Sequence, residues 1–80
     1  MQLRLLLFGI TKDIIGESPH LYDLSKGETT EDLLNQLIKD YPALKNLNSL
    51  AIAVNGEYAS KSTPVKSIDE IAIIPPVSGG

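Results

Sequence analysis

The chemistry this sequence offers is concentrated in six residues, Pro75-Pro76-Val77-Ser78-Gly79-Gly80. A strand-like run, Glu70 to Ile74, leads directly into them. Proline has no backbone donor and favours an extended chain, so Pro75 and Pro76 predict a stiff stalk leaving a sheet. Gly79 and Gly80 carry no Cβ, which makes the tip thin, mobile and able to enter a narrow channel. The group at its end is the α-carboxylate of Gly80, a main-chain acyl group suited to activation by another protein. Terminal glycines are also what frayed chain or an expression remnant looks like. The stalk and the apolar strand feeding it favour a functional tail over residues 75–80.

The side chains offer much less. There is no cysteine, so no disulfide framework, thiolate metal site or cysteine nucleophile is available. His20 is the single histidine, without a second histidine nearby, and reads as a surface or turn residue; no metal site is expected. Asp69 and Glu70 are adjacent in a turn and lack a positioned third group, so they read as solvated charge. Ser60, Ser62 and Thr63 have no base to activate them, and Lys61 and Lys66 read as solubilising residues beside a loop. None of these side chains reads as a catalytic group.

Composition narrows the classes further. Eighty residues, 42% hydrophobic and 21% charged, make one small globular domain over residues 1–80 with a thin core. Seven basic against ten acidic residues give a net charge of -3, with the basic residues scattered and only Phe8, Tyr22, Tyr41 and Tyr58 aromatic. That argues against a nucleic-acid partner. The apolar run at Leu3 to Phe8 is too short to span a membrane and lacks the features of a signal peptide, so a cytoplasmic address is expected.

The elements that must position the tail follow from periodicity. Leu3 to Phe8 alternates as a first strand, with Leu3, Leu5 and Leu7 on one face and Arg4, Leu6 and Phe8 on the other. Asp13 to Gly16 predicts a short helical turn closed by Gly16. His20 to Leu24 is compatible with a second strand paired to the first, although Leu21 competes with Tyr22 and Leu24 for the inward face. Thr29 is an N-cap for a helix running to about Tyr41, with Leu33, Leu34, Leu37, Ile38 and Tyr41 in one stripe. Pro42 ends that helix or opens a new turn.

Ala43 to Ser49 then reads as a connector anchored by Leu44 and Leu47. Leu50 to Val54 is a third strand, and Asn55-Gly56 a type I′ hairpin turn into a short fourth strand, Glu57 to Ala59. Lys61 to Asp69 is a loop in which Val65 and Ile68 are expected to tuck under the sheet. Ile71 to Ile74 is the last strand, with Ile71 and Ile73 facing opposite to Ala72 and Ile74. These elements are too few for a doubly wound sheet. They fit an α+β architecture, a mixed sheet of four to five strands packed on one main helix, with the terminal strands central and parallel. That is the β-grasp arrangement of ubiquitin-like folds.

Phe8 closing the first strand, Ala53-Val54-Asn55 before a turn, and the run Asp69 to Gly80 together resemble the MoaD family, the small sulfur-carrying subunits of molybdopterin synthase. The resemblance spans essentially the whole chain. It departs from the usual pattern at Lys12-Asp13, where an Arg-Glu pair is frequent, at Ser67-Ile68-Asp69-Glu70, and at Ile73 and Ile74, where aromatics are common. The resemblance implies a sulfur carrier of molybdenum cofactor synthesis. An E1-like enzyme would adenylate Gly80 using ATP, and a sulfur donor protein would convert it to a thiocarboxylate, with Gly79 as the thin penultimate position. No cofactor is expected to be held by the chain itself. The large catalytic subunit of the synthase would receive the tail and pass sulfur to cyclic pyranopterin monophosphate, in a heterotetramer. Carried over residue by residue, the partner interface falls on Phe8, Tyr58, Ile74, Pro75, Pro76, Val77 and Ser78. Two alternatives stay open: a related ubiquitin-like carrier or modifier serving thiamine, tRNA thiolation or protein targets, and a non-catalytic β-grasp binding module.

Overall fold

The structure, a computed structural model, describes residues 1–47 and 50–75. Five strands form one sheet: β1 (Gln2–Leu7), β2 (His20–Asp23), β3 (Ala51–Val54), β4 (Glu57–Tyr58) and β5 (Ile71–Ile74), in the order β2-β1-β5-β3-β4. β1 and β5 lie parallel at the centre, Leu7 opposite Ile73, and the other pairings are antiparallel. Both of the expected central strands are where the periodicity put them.

One face of this sheet is covered by α2 (Thr30–Asp40). Thr29 caps it as expected, and the capping box closes through Asp32: Thr29 Oγ1 accepts from the Asp32 N–H, and Asp32 Oδ2 accepts from the Thr29 N–H at 3.2 Å. Leu33 and Leu37 are fully buried against Leu3, Leu5, Ile71 and Ile73. Each buried leucine contributes about 2 kcal/mol, so packing outweighs the cap in holding α2 to the sheet. Leu34, Ile38 and Tyr41 complete the stripe at its margins. A 3-10 turn, Pro42–Asn46, follows and anchors through buried Leu44, with Leu47 packed beside it.

The Asp32 carboxylate also accepts from the Thr29 hydroxyl at 2.9 Å and from the Glu28 N–H at 3.0 Å. These bonds, the Thr29 hydroxyl foremost, hold its pKa below the usual aspartate range. A carboxyl depressed in the fold contributes stability that is present above its unfolded pKa and is lost as pH falls through the folded one. We expect the stability difference between the native chain and Asp32→Asn, measured by urea unfolding, to be largest near neutrality and to shrink below about pH 4. An undiminished difference at pH 2 would show that the carboxylate charge is not what holds the cap.

The structure also settles the ambiguous second strand. Tyr22 and Leu24 turn inward and Leu21 is 63% exposed. The reason is a polar handle: Tyr22 can bury its ring and still donate its hydroxyl to Asp40 Oδ2 at 2.6 Å, tying β2 to the end of α2. Desolvation of the ring and this bond both push the Tyr22 pKa up. Tyr22→Phe should cost about 1 kcal/mol, read as a lower urea midpoint with an unchanged slope.

Three other expectations need correction. The first helix, α1 (Ile10–Ile15), begins three residues earlier than predicted, because Gly9 turns the chain sharply at φ 54° and Thr11 ties the turn to β1. Val65 is buried as expected, but Ile68 is 91% exposed. The Asp69 carboxylate accepts from the Lys66 N–H at 2.9 Å and from Asn55 Nδ2 at 3.1 Å, which folds the loop into a turn with Ile68 at its outer tip. The fourth strand stops at Tyr58, one residue short. By contrast the Asn55-Gly56 turn has φ of 53° and 84°, the two positive values a type I′ turn requires.

Candidate functional site

Residues directly opposite one another in a sheet share a face, so the register sorts the solvent side into rows. Ile74 lies opposite Ala51 on β3, and Phe8 follows Leu7, the partner of Ile73. The first row is therefore Phe8, Ile74 and Ala51. The second is Leu6, Ala72, Ala53 and Tyr58. The third carries Arg4 and Leu21. None of these rows faces α2. The uncovered side of the sheet is thus apolar where β5 ends and becomes charged toward Arg4, Asp69 and Glu70, which line a shallow cavity of about 330 Å³ at the opposite end.

Phe8 is 50% exposed, Tyr58 is 76% exposed, and Ile74 is partly exposed between them. The expected interface residues do not form one tight cluster. Phe8 and Ile74 are neighbours at the end of β5, while Tyr58 sits two strands from Ile74 and one row back, roughly 12 Å away by sheet spacing. Alanines at 51, 53 and 72 form the floor between them. Pro75 follows Ile74 directly and packs so closely on Gly9 that a Cβ there would meet Pro75 Cγ at 3.3 Å. Pro76, Val77, Ser78, Gly79 and Gly80 lie outside the described residues.

Sequence reasoning missed two members of this face. Leu6 stands between Arg4 and Phe8 and was counted as outward without a role; Leu21 lost the contest for the core and so became exposed. Its signal was in the sequence, since two of three apolar residues in His20 to Leu24 had to share a face and one had to yield.

The other polar candidates are structural. His20 lies near Tyr22 and Tyr41, with ring centroids 6.3 and 6.4 Å away. Ser60 and Thr63 bond each other, Thr63 Oγ1 accepting from the Ser60 N–H at 3.0 Å and lying 3.2 Å from Ser60 Oγ. Asp69 and Glu70 are held by Asn55, whose Oδ1 accepts from the Glu70 N–H at 2.9 Å. Among the described residues no three of His, Asp and Glu gather as a metal site would need. No helix among them is long and apolar enough to cross a membrane. What the arrangement can do chemically is present an apolar face with Pro75 leaving the sheet beside it.

Comparison with known proteins agrees with this architecture. A model of the ThiS family matches residues 5–80. The molybdopterin synthase sulfur carrier subunit of Dictyostelium discoideum is 43% identical over 99% of this chain and 96% of its own length. The subunit of the same description from Chlamydomonas reinhardtii is 39% identical, with both chains covered completely. Among solved structures, the small archaeal modifier protein 1 of Methanosarcina acetivorans superposes with a TM-score of 0.75 at 33% identity, covering 99% of this chain and 96% of that one. A chain in the complex of subunits 1 and 2 of the molybdopterin-converting factor from Helicobacter pylori gives 0.64 at 28% identity, with both chains covered completely.

Proposed function

The chain belongs to the ThiS family, and on that premise we propose that it is the sulfur carrier subunit of a molybdopterin synthase. The observation that carries this reading is the position of Pro75: the stalk begins at the edge of an uncovered apolar face, beside Phe8 and Ile74. A carrier needs this pairing. The docking face brings a partner's active site to the tail, and the tail carries the reacting group into it.

The chemistry follows from the electrophile. A carboxylate is a poor acyl donor because its leaving group would be oxide. In the proposed first step an oxygen of the Gly80 carboxylate attacks the α-phosphorus of ATP, giving an acyl-adenylate and releasing pyrophosphate. A persulfide on the donor protein then attacks the acyl carbon with its outer sulfur and expels AMP, giving an acyl disulfide. A second thiol of the donor attacks the inner sulfur, forming a disulfide on the donor and leaving a thiocarboxylate at Gly80. The large synthase subunit would take the sulfur from two such tails to build the dithiolene of molybdopterin. Gly79 and Gly80 keep the tip narrow enough to pass between partner side chains. The side chains that move protons in these steps belong to the partners, so this chain is one part of a sulfur-transferring complex.

A second reading has its own support. The likeness to a small archaeal modifier protein favours a ubiquitin-like protein modifier, which shares the adenylation step and parts from the carrier at the acceptor. Intact mass after incubation with ATP, a sulfur donor and the activating enzyme of the same source tests both. A gain equal to exchanging one oxygen for sulfur, located at Gly80, is the expected result. Adenylation followed by linkage to protein lysines, with no sulfur gained, would replace the carrier by the modifier.

A further inference from the structure

The junction between β5 and the tail contains a buried hydroxyl that the docking face does not use. β1 and β5 run parallel with Leu7 opposite Ile73. Continued by one rung, a parallel ladder aims the Phe8 N–H at the Ile73 carbonyl and leaves the Phe8 carbonyl waiting for the N–H of residue 75. Residue 75 is proline and has none. Thr11, which has no exposed surface, stands in this gap. Its Oγ1 accepts from the Phe8 N–H at 3.0 Å, donates to the Phe8 carbonyl at 2.6 Å, and lies 3.4 Å from the Ile73 carbonyl. The Thr11 N–H adds a second donor to the Phe8 carbonyl at 3.2 Å. A hydroxyl has one proton, so the shorter bond takes it and the Ile73 carbonyl is the weaker partner.

Gly9 completes the junction. Its φ of 54° with ψ of -132° is a conformation that favours glycine, and a Cβ there would press on Pro75 Cγ. The turn from β1 into α1 therefore touches β5 at its last rungs and the stalk at its first residue.

We propose that Thr11 is a positioning residue for the tail: its hydroxyl takes up the Phe8 N–H and carbonyl where the β1–β5 ladder ends and, with Gly9 against Pro75, sets the direction in which the chain leaves the sheet. The consequence for catalysis rests on the carrier reading; the consequence for geometry does not. The angle at Pro75 sets where a partner meets the residues that follow, and a displacement of about 1 Å at a reacting group can cost up to about 100-fold in rate.

The test uses the full chain with Thr11→Val, which keeps the shape and removes the hydroxyl, and Thr11→Ser, which keeps the hydroxyl. Spin labels on cysteines placed by Lys39→Cys and Ser78→Cys report the distance from α2 to the tail. We expect Thr11→Val to shift or broaden that distribution and Thr11→Ser to preserve it. In the unlabelled chain, Thr11→Val should lower kcat for adenylation about tenfold at an unchanged KM, since the docking face is intact, and Thr11→Ser should restore it. A merely structural role would lower the fraction folded without splitting kcat from KM. A native distance distribution in Thr11→Val overturns the proposal, as does a rate loss that Thr11→Ser fails to restore. If Thr11→Val does not fold, Gly9→Ala is read by the same two measurements. If the native chain is not adenylated at all, the carrier reading falls, and the distances alone decide the role of Thr11.

Discussion

Removing Gly80 should abolish sulfur loading while leaving the fold intact, and so should adding one residue after it. Deletion leaves a carboxylate on Gly79, one residue short of the activating enzyme's nucleotide. Extension puts a peptide bond where the carboxylate must be, and a neutral amide oxygen is a far weaker nucleophile toward phosphorus than a carboxylate oxygen. Either change removes the reacting atom from its site, so the expected loss is at least about 1,000-fold, of the order reached when proximity itself is lost. Among the described residues, the β1–β5 ladder, α2 and the buried core lie in residues 1–73. Substitution at exposed sites remote from a core usually changes stability by less than about 0.5 kcal/mol. Mass spectrometry after incubation with ATP and the activating enzyme, alongside thermal unfolding of the same samples, checks both halves. Sulfur loading of an extended chain would sink the carrier hypothesis. A parallel drop in thermal stability would instead place the tail in the fold.

The elements that were legible in the sequence share a property: their signal is local. Thr29 followed by Asp32, a stripe at Leu33, Leu37 and Tyr41, and Asn55-Gly56 between two short apolar runs each specify an element within a few residues. The alternation of Ile71 and Ile73 against Ala72 and Ile74 likewise puts the two pairs on opposite faces, and Ile71 and Ile73 are the buried pair. What failed depended on distant partners. Leu21 against Tyr22 was decided by Asp40, 18 residues away from Tyr22. Ile68 points outward because Asn55 and Lys66 hold Asp69. A threonine after Gly9-Ile10 carries no signature in the sequence; Thr11 comes beside Ile73 only through the fold.

The candidate site divides in the same way. Gly79 and Gly80 are proposed from residue type alone and lie outside the described residues. The docking face is proposed through a resemblance, and the register shows how its residues are spaced. Alternation said that Phe8 and Ile74 both point away from the core. It could not say that they would be neighbours, nor that Tyr58 would stand a row apart across a floor of Ala51, Ala53 and Ala72. A partner that covers Phe8, Ile74 and Tyr58 together must therefore bring its own side chains down onto those alanines. Bulky residues on the partner suit this face, because the small ones are on this side.

Phe8→Asp should produce the second large effect, and of a different kind. The Phe8 ring is half exposed, while its backbone groups, not its side chain, make the bonds to Thr11. The fold should therefore lose no more than about 1 kcal/mol. Docking is another matter. Aromatic anchors at an interface centre commonly carry 2 kcal/mol or more, and an unpaired carboxylate desolvated in their place adds a further penalty. We expect affinity for the large synthase subunit to fall about 100-fold or more, measured by calorimetry, with Lys39→Ala on the wet face of α2 unchanged. The comparison with a chain lacking Gly80 separates the readings. A carrier whose face and tail do different work gives two independent failures: Phe8→Asp loses binding but loads sulfur at saturating enzyme, whereas the shortened chain binds and does not load. A binding module with an incidental tail gives only the first. Unchanged affinity in Phe8→Asp would move the docking surface off this face altogether, and with it the reason for the stalk to begin where Pro75 does.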